Sequence, residues 1–297
     1  MAKKVRQISS VAAYNFRTWH RNPRVIITFL LAFILCFLLT DKAVAYAAKH
    51  QTVLQILEPF IWTFGDGNSI LLSSLLLLLL FSDMPFITAG TPLYLVRTTR
   101  KVWKAGQVVY TALATLLYLV FILISTAALC MTNAFPGDMW SKTAAILGYS
   151  GDGAAIALPS LVKVLELSTP YKCMGTIFLL MLLYTLCMVF LMLWLNIRRG
   201  HAAGIGGAFG FTLLSFLMSP DNLIHIFSMP DELAFRARVW MGWISPLNHA
   251  TYAMHNFGYD RLPRLWQTYA ILGELLVILV LLSLQAIRIY NFDFRGT

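Results

Sequence analysis

The sequence predicts an all-α polytopic membrane protein, and three observations carry that expectation. Hydrophobic residues make up 59% of the 297 and charged residues only 12%, whereas a soluble domain carries about 25% charged residues. Six apolar stretches approach the roughly 20 helical residues that a bilayer core requires. Lys and Arg gather in alternate connections between those stretches. Together these features exclude a secreted disulfide scaffold, a disordered chain and a free soluble enzyme. Cys36, Cys130, Cys173 and Cys187 lie in or beside apolar runs without CxxC spacing, which reads as buried thiols. Cys130 and Cys173 fall near one membrane face, and a disulfide between them is left open.

The chain reads as a single transmembrane domain over 1–297. Val5, Ile8, Ala12, Phe16 and Trp19 are spaced by three or four residues and form one helical stripe. Lys3, Lys4, Arg6, Arg17 and Arg21 surround it, so residues 1–22 are expected to be an interfacial helix along the inner leaflet. Asn22-Pro23 is an N-cap followed by proline at the first helical position. The first span therefore starts at Pro23, runs to about Thr40 and can extend to Ala48. Ala43-Val44-Ala45 mimics a signal-peptidase site, but the long polar segment before the run and Asp41-Lys42 favour a retained helix. Further spans are expected at about Ser69–Ile87, Gln107–Met131, Cys173–Leu195, His201–Ser219 and Thr268–Ile287.

With the N-terminus inside, the inner segments 1–24, 83–104, 196–201 and 288–297 hold 14 of the 23 Lys and Arg in only 62 residues. The outer segments 40–66, 132–172 and 220–267 hold the other nine in 116 residues, with ten of the 13 acids. This is the positive-inside pattern, and it places both termini in the cytoplasm. The net charge of +10 thus divides into about +12 inside and −1 outside, with Glu274 within a span.

In the 83–104 loop, Gly90 and Pro92 break the helix leaving the second span. Leu93, Val96, Arg100 and Lys104 can then continue a short cytoplasmic helix, with Trp103 as a further apolar knob and Arg97 and Lys101 as further charge. Such a loop suits either a lever for a soluble partner or a solvated positive-inside connection. The 132–172 loop is turn-rich and is expected to form an outer cap. Residues 220–267 carry Pro220, Pro230, Pro246 and Pro263 between apolar pieces too short to cross, which predicts re-entrant outer half-helices before the last span.

Chemical motifs are few. Gly148-Tyr149-Ser150-Gly151-Asp152 only half resembles GxSxG. His249 and His255 are six apart, on different helical faces, and hydrogen bonding in a broken helix is their expected use. Gly206 and Gly210 form a GxxxG pair suited to close helix packing. Glu274 is the one clear intramembrane acid, so a substrate-path or gating role is considered for it, alongside His249. No catalytic residues and no metal ligands are assigned. The chain has no GxxxxGK[ST] and so no P-loop of its own.

The order of these parts resembles the membrane subunit of type-2 ATP-binding-cassette exporters over nearly the whole chain. Two local stretches carry the resemblance further. Phe16-Arg17-Thr18-Trp19-His20-Arg21-Asn22-Pro23 is similar to that family's approach to its first span. Ile244-Ser245-Pro246-Leu247-Asn248-His249-Ala250 is similar to its Ser-Pro stretch before the last span. The resemblance implies a multi-pass permease of the bacterial plasma membrane, itself no enzyme, with no cofactor on this chain. ATP and magnesium would bind two copies of a separate ATPase, and a second permease subunit, the same chain or a sister, would complete a dimer. Membrane lipids are the remaining expected partners, and nucleic acid is not one. Leu93, Tyr94, Arg97, Arg100, Lys101 and Trp103 would form the coupling helix against the ATPase. The expected substrate is amphipathic: a peptide, a lipid-linked molecule or a drug. Two alternatives remain: an ion-coupled secondary transporter using Glu274, and an intramembrane enzyme using His249 or His255.

Overall fold

The computed structural model describes residues 2–86, 98–150, 152, 162–218, 220–226, 228, 230, 234–258 and 260–286. Helices dominate. In chain order they are α1 (Ala2–Arg17), α2 (Pro23–Lys49), α3 (Glu58–Phe64), α4 (Gly67–Phe81), α5 (Arg100–Cys130), α6 (Lys142–Ser150) and α7 (Val162–Leu167). The second half holds α8 (Pro170–Arg199), α9 (His201–Leu217), α10 (Pro220–Ile226), α11 (Ala234–Ile244), α12 (Pro246–Ala250) and α13 (Leu265–Ala286). A two-residue parallel pair, β1 (Leu54–Gln55) and β2 (Ala134–Phe135), ties the two outer loops together.

Among the described residues four helices are long and apolar enough to cross a membrane: α2, α5, α8 and α13. The bent pair α3–α4 adds a fifth if it counts as one span, with 87° between its halves. The chain is therefore a multi-pass, helical membrane protein. The expected second span is shorter than read, because α4 ends at Phe81 rather than near Ile87. The expected fifth span, α9, has 17 residues.

Local chemistry explains the helix starts. The Asn22 side chain accepts from Arg24 N–H at 3.0 Å, with Pro23 at the first position. Asp66 caps α4 through Asn68 N–H at 3.0 Å, and Thr99 caps α5 through Val102 N–H. Gly200 separates α8 from α9 at φ +89°, a left-handed conformation that a side chain would strain.

α8 is the hub. It packs on α9 and α13, and 67% of its most apolar window is buried, against 28% for α2 and 22% for α13. The core runs through Leu180, Met181, Tyr184, Met188 and Leu193 of α8 to Leu77 and Phe81 of α4 and Tyr118 and Ile122 of α5. α2 and α13 instead turn Ile26, Leu30, Phe37, Val277 and Ile278 outward, as lipid-facing helices do.

The N-terminal helix departs from expectation in its partner. Instead of resting its whole stripe on lipid, α1 docks on α5. Val11, Ala12 and Asn15 are buried there, Asn15 Nδ2 donates to Gln107 Oε1 at 3.4 Å, and Trp19 Nε1 donates to the Tyr110 hydroxyl at 2.7 Å. The Phe16 ring lies 4.9 Å from Tyr110, Ile8 is half-buried, and Val5 stays exposed. Gly106 permits this approach, because a Cβ there would stand 2.6 Å from Val11. Gly106→Val is expected to cost about 1–3 kcal/mol by overpacking. The matching readout is a lower melting temperature together with faster proteolysis within residues 1–22; unchanged proteolysis would mean that α1 is held elsewhere.

Candidate functional site

The coupling residues expected in the 83–104 loop divide. Leu93, Tyr94 and Arg97 lie outside the described residues. Arg100, Lys101 and Trp103 are not in a separate short helix but form the first turn of α5, which continues unbroken for 31 residues. Thr99 starts that helix, so whatever moves this turn moves the whole of α5. Arg100 and Lys101 are exposed, whereas Trp103 is buried and serves packing rather than as a surface knob. The contacts Val11–Gly106, Asn15–Gln107 and Trp19–Tyr110 advance in the same direction along both helices. The exposed Lys3, Lys4 and Arg6 therefore extend toward the end of α5 that carries Arg100 and Lys101. Near this end Arg24 pairs with Asp83 and donates to Ser82 Oγ at 3.0 Å, pinning the start of α2 to the end of α4.

At the other end of the bundle, the proline-punctuated segment is broken into the short helices α10, α11 and α12, as its sequence predicts. The Ser-Pro stretch forms α12. Buried Ser245 caps it and donates its hydroxyl to the Ser215 carbonyl of α9 at 2.9 Å. His249 is buried: its Nδ1 lies 3.0 Å from Thr268 Oγ1, and its Nε2 lies 3.0 Å from the Trp243 carbonyl. His255 Nε2 lies 3.0 Å from the same Thr268 oxygen. His255 Nδ1 faces the Thr251 and Tyr252 carbonyls as His249 Nε2 faces that of Trp243, and Thr268 has one hydrogen to give, so only one of the two imidazoles can accept from it at a time. The histidines thus share Thr268 in the first turn of α13 and tie the broken segment to it by hydrogen bonds.

Burial pushes both imidazoles down, His255 to about 4. The neutral form is therefore favoured in the fold, and its contribution is whole above the ordinary value near 6.5. It is lost as pH falls from there toward 4, by up to roughly 3 kcal/mol. Melting temperature measured between pH 7.5 and 4.5 should fall, and His255→Asn should flatten that slope; an unchanged slope would assign the acid sensitivity to other groups.

The loops before α3 and after α5 are held by a group that the sequence reading counted only as an outer acid. Glu58, the first residue of α3, is completely buried. Its Oε2 accepts from Gln55 N–H at 3.1 Å and from Ser141 Oγ at 2.6 Å, and its Oε1 accepts from Ser141 N–H at 2.7 Å. An acid beside proline inside the apolar run 54–64 is the only local signal for it. The Trp62 and Trp140 rings meet tilted at 5.5 Å, and Lys163 pairs with Asp260 at 3.6 Å, so the 132–172 loop is a packed cap tied to the segments 40–66 and 220–267. Part of that loop, 151 and 153–161, lies outside the described residues.

The remaining expectations fare differently. Among the described residues nothing packs against Gly206 or Gly210, where a Cβ would meet open space. The close contact is made one face over, where a side chain on Gly204 would run into Asn196, one on Gly207 into Leu195, and Ala208 is fully buried. Glu274 is exposed on the outer flank of α13, between outward-facing Ile271 and Ile278, and not in the bundle interior. Ser150 accepts from Asp152 N–H at 3.2 Å, an ordinary turn contact. All four cysteines are unpaired and buried, so Cys130 and Cys173 are not joined. Among the described residues no group of three His, Cys, Asp or Glu is placed to hold a metal ion.

These features define a helical, multi-pass membrane protein with a basic platform at one end and a hydrogen-bonded cap at the other. Comparison with protein-family models, with curated proteins and with solved structures finds no match.

Proposed function

We propose that the chain is the permease subunit of a type-2 ATP-binding-cassette exporter in a bacterial cytoplasmic membrane. It would cross the membrane six times, through α2, α4 with its bent lead-in α3, α5, α8, α9 and α13, with both termini in the cytoplasm. A separate ATPase, two copies per transporter, would bind ATP and magnesium. A second permease subunit, the same chain or a sister, would complete the dimer.

The observation that carries the reading is the docking of α1 on α5. An amphipathic helix with exposed Lys3, Lys4 and Arg6 is fastened by Trp19, Asn15 and Val11 to the helix that begins at Arg100 and Lys101. A force applied to either basic surface reaches the middle of the membrane along α5 without crossing a joint. ATP-driven closure of two ATPases against this platform would favour one packing of the permease pair and hydrolysis the other, which is a population shift by differential binding. The broken outer segment supports the same reading, because its short helices can line an exit that a continuous span would close. The outward placement of Glu274 fits a path between two chains better than a proton path within one. An amphipathic substrate suits release from such a seam.

Affinity capture of the tagged chain from native membranes tests the proposal. A P-loop ATPase should copurify in equal amount. Transport driven by an ion gradient with no such partner would replace this reading with an ion-coupled secondary transporter.

A further inference from the structure

Where α5 begins and α13 ends, the described residues enclose a cleft of about 740 Å3. Lys101, Lys104 and Ala105 of α5 line one side, and Ile278, Leu281, Leu282, Leu284 and Gln285 of α13 line the other. Both lysines belong to the first turns of α5, and the α13 residues belong to its last turns. Lys101 is exposed and stands at the rim, Lys104 lies buried behind it, and the aliphatic wall leads from them into the depth of the membrane. Ile278 and Leu281 are more than half exposed, so the wall opens sideways to lipid.

We propose that this cleft binds one anionic phospholipid, with its phosphate at Lys101 and an acyl chain along Ile278, Leu281 and Leu282. The pairing of charge and wall selects this occupant. A lysine near the membrane surface attracts an anionic headgroup, and basic pockets between spans are suited to such lipids. A zwitterionic lipid brings its own cation to Lys101, and a free anion leaves the aliphatic wall wet. The site does not depend on what the chain transports, and a bound lipid here would brace α13 against α5, two helices that otherwise touch little.

The test uses the full chain in nanodiscs of phosphatidylcholine with graded phosphatidylglycerol, and native mass spectrometry counts the lipid retained on release. The wild-type protein should keep one phosphatidylglycerol at least tenfold in preference to phosphatidylcholine. Lys101→Glu and, separately, Ile278→Trp should each remove that preference while leaving the melting temperature in pure phosphatidylcholine unchanged. Leu38→Trp, on the exposed face of α2, should keep it. Equal retention of both lipids by the wild type, retention undiminished in both cleft variants, or displacement of the lipid by millimolar inorganic phosphate would overturn the proposal. So would efficient Leu281→Cys cross-linking between two copies, which would give the cleft to a second chain.

Discussion

Glu58→Ala unfolds the outer cap. Its carboxylate is the common acceptor for Gln55 N–H, Ser141 N–H and the Ser141 hydroxyl, at a position without solvent access. The hydroxyl can turn elsewhere, but the two backbone donors cannot. Each buried donor left without a partner costs about 1–3 kcal/mol, so the expected loss is roughly 2–5 kcal/mol. Glu58→Gln should fare little better despite its shape, because its amide must point an N–H at one of those two N–H groups. Two measurements check this: the melting temperature of both variants, and hydrogen exchange at 54–58 and 134–145. The structure predicts exchange that rises in both stretches together, because β1–β2 and the carboxylate hold them as one piece. Full stability in Glu58→Gln would mean that Glu58 is not the organising acceptor.

Reversing Arg97 and Arg100 to Glu should cut recovery of the ATPase at least tenfold, and stimulated hydrolysis should fall to its basal rate. The expectation rests on the proposed platform, where a charge reversal places repulsion against an acidic partner surface. Lys172→Glu, exposed at the far end of the bundle, should leave both readings unchanged. Arg100→Glu alone separates the contribution of the α5 turn from that of Arg97. If the double variant retains its partner, the force enters the permease elsewhere, and the Lys3–Arg6 surface of α1 becomes the next place to reverse.

Much of the helical plan was legible because local rules wrote it. Asn22-Pro23 marks a helix start by capping alone, and the proline spacing of 220–267 forbids a span wherever that segment folds. The end of α4 was not legible: Leu75–Leu80 is apolar on every side, so no periodicity marks where the helix stops. Nor was the packing face of α9. Small residues recur at 203, 204, 206, 207 and 210, and the face that packs is chosen by Asn196 and Leu195 of the neighbouring helix. The partners of Glu58 and His255 lie 83 and 13 residues away, so their roles follow from topology rather than from neighbouring sequence. The stripe in 1–22 was visible as amphipathic, but a stripe looks the same whether lipid or α5 receives it. Only Gly106, a notch within an otherwise bulky helix, hinted at the answer.

Gly200 joins two helices of very unequal length. At 1.5 Å per residue, the 30 residues of α8 extend about 45 Å, but the 17 of α9 reach only about 26 Å. Both start from the same turn, so α9 ends well below the far end of its neighbour and several ångströms short of a hydrocarbon layer about 30 Å thick. Lipid beside α9 must thin, or the helix must recruit protein to complete its length. The chain meets this hydrophobic mismatch with α12, whose Ser245 takes up a carbonyl at the end of α9. The bundle is therefore stepped on this flank, and lipid beside α9 meets a shorter apolar wall than lipid beside α8.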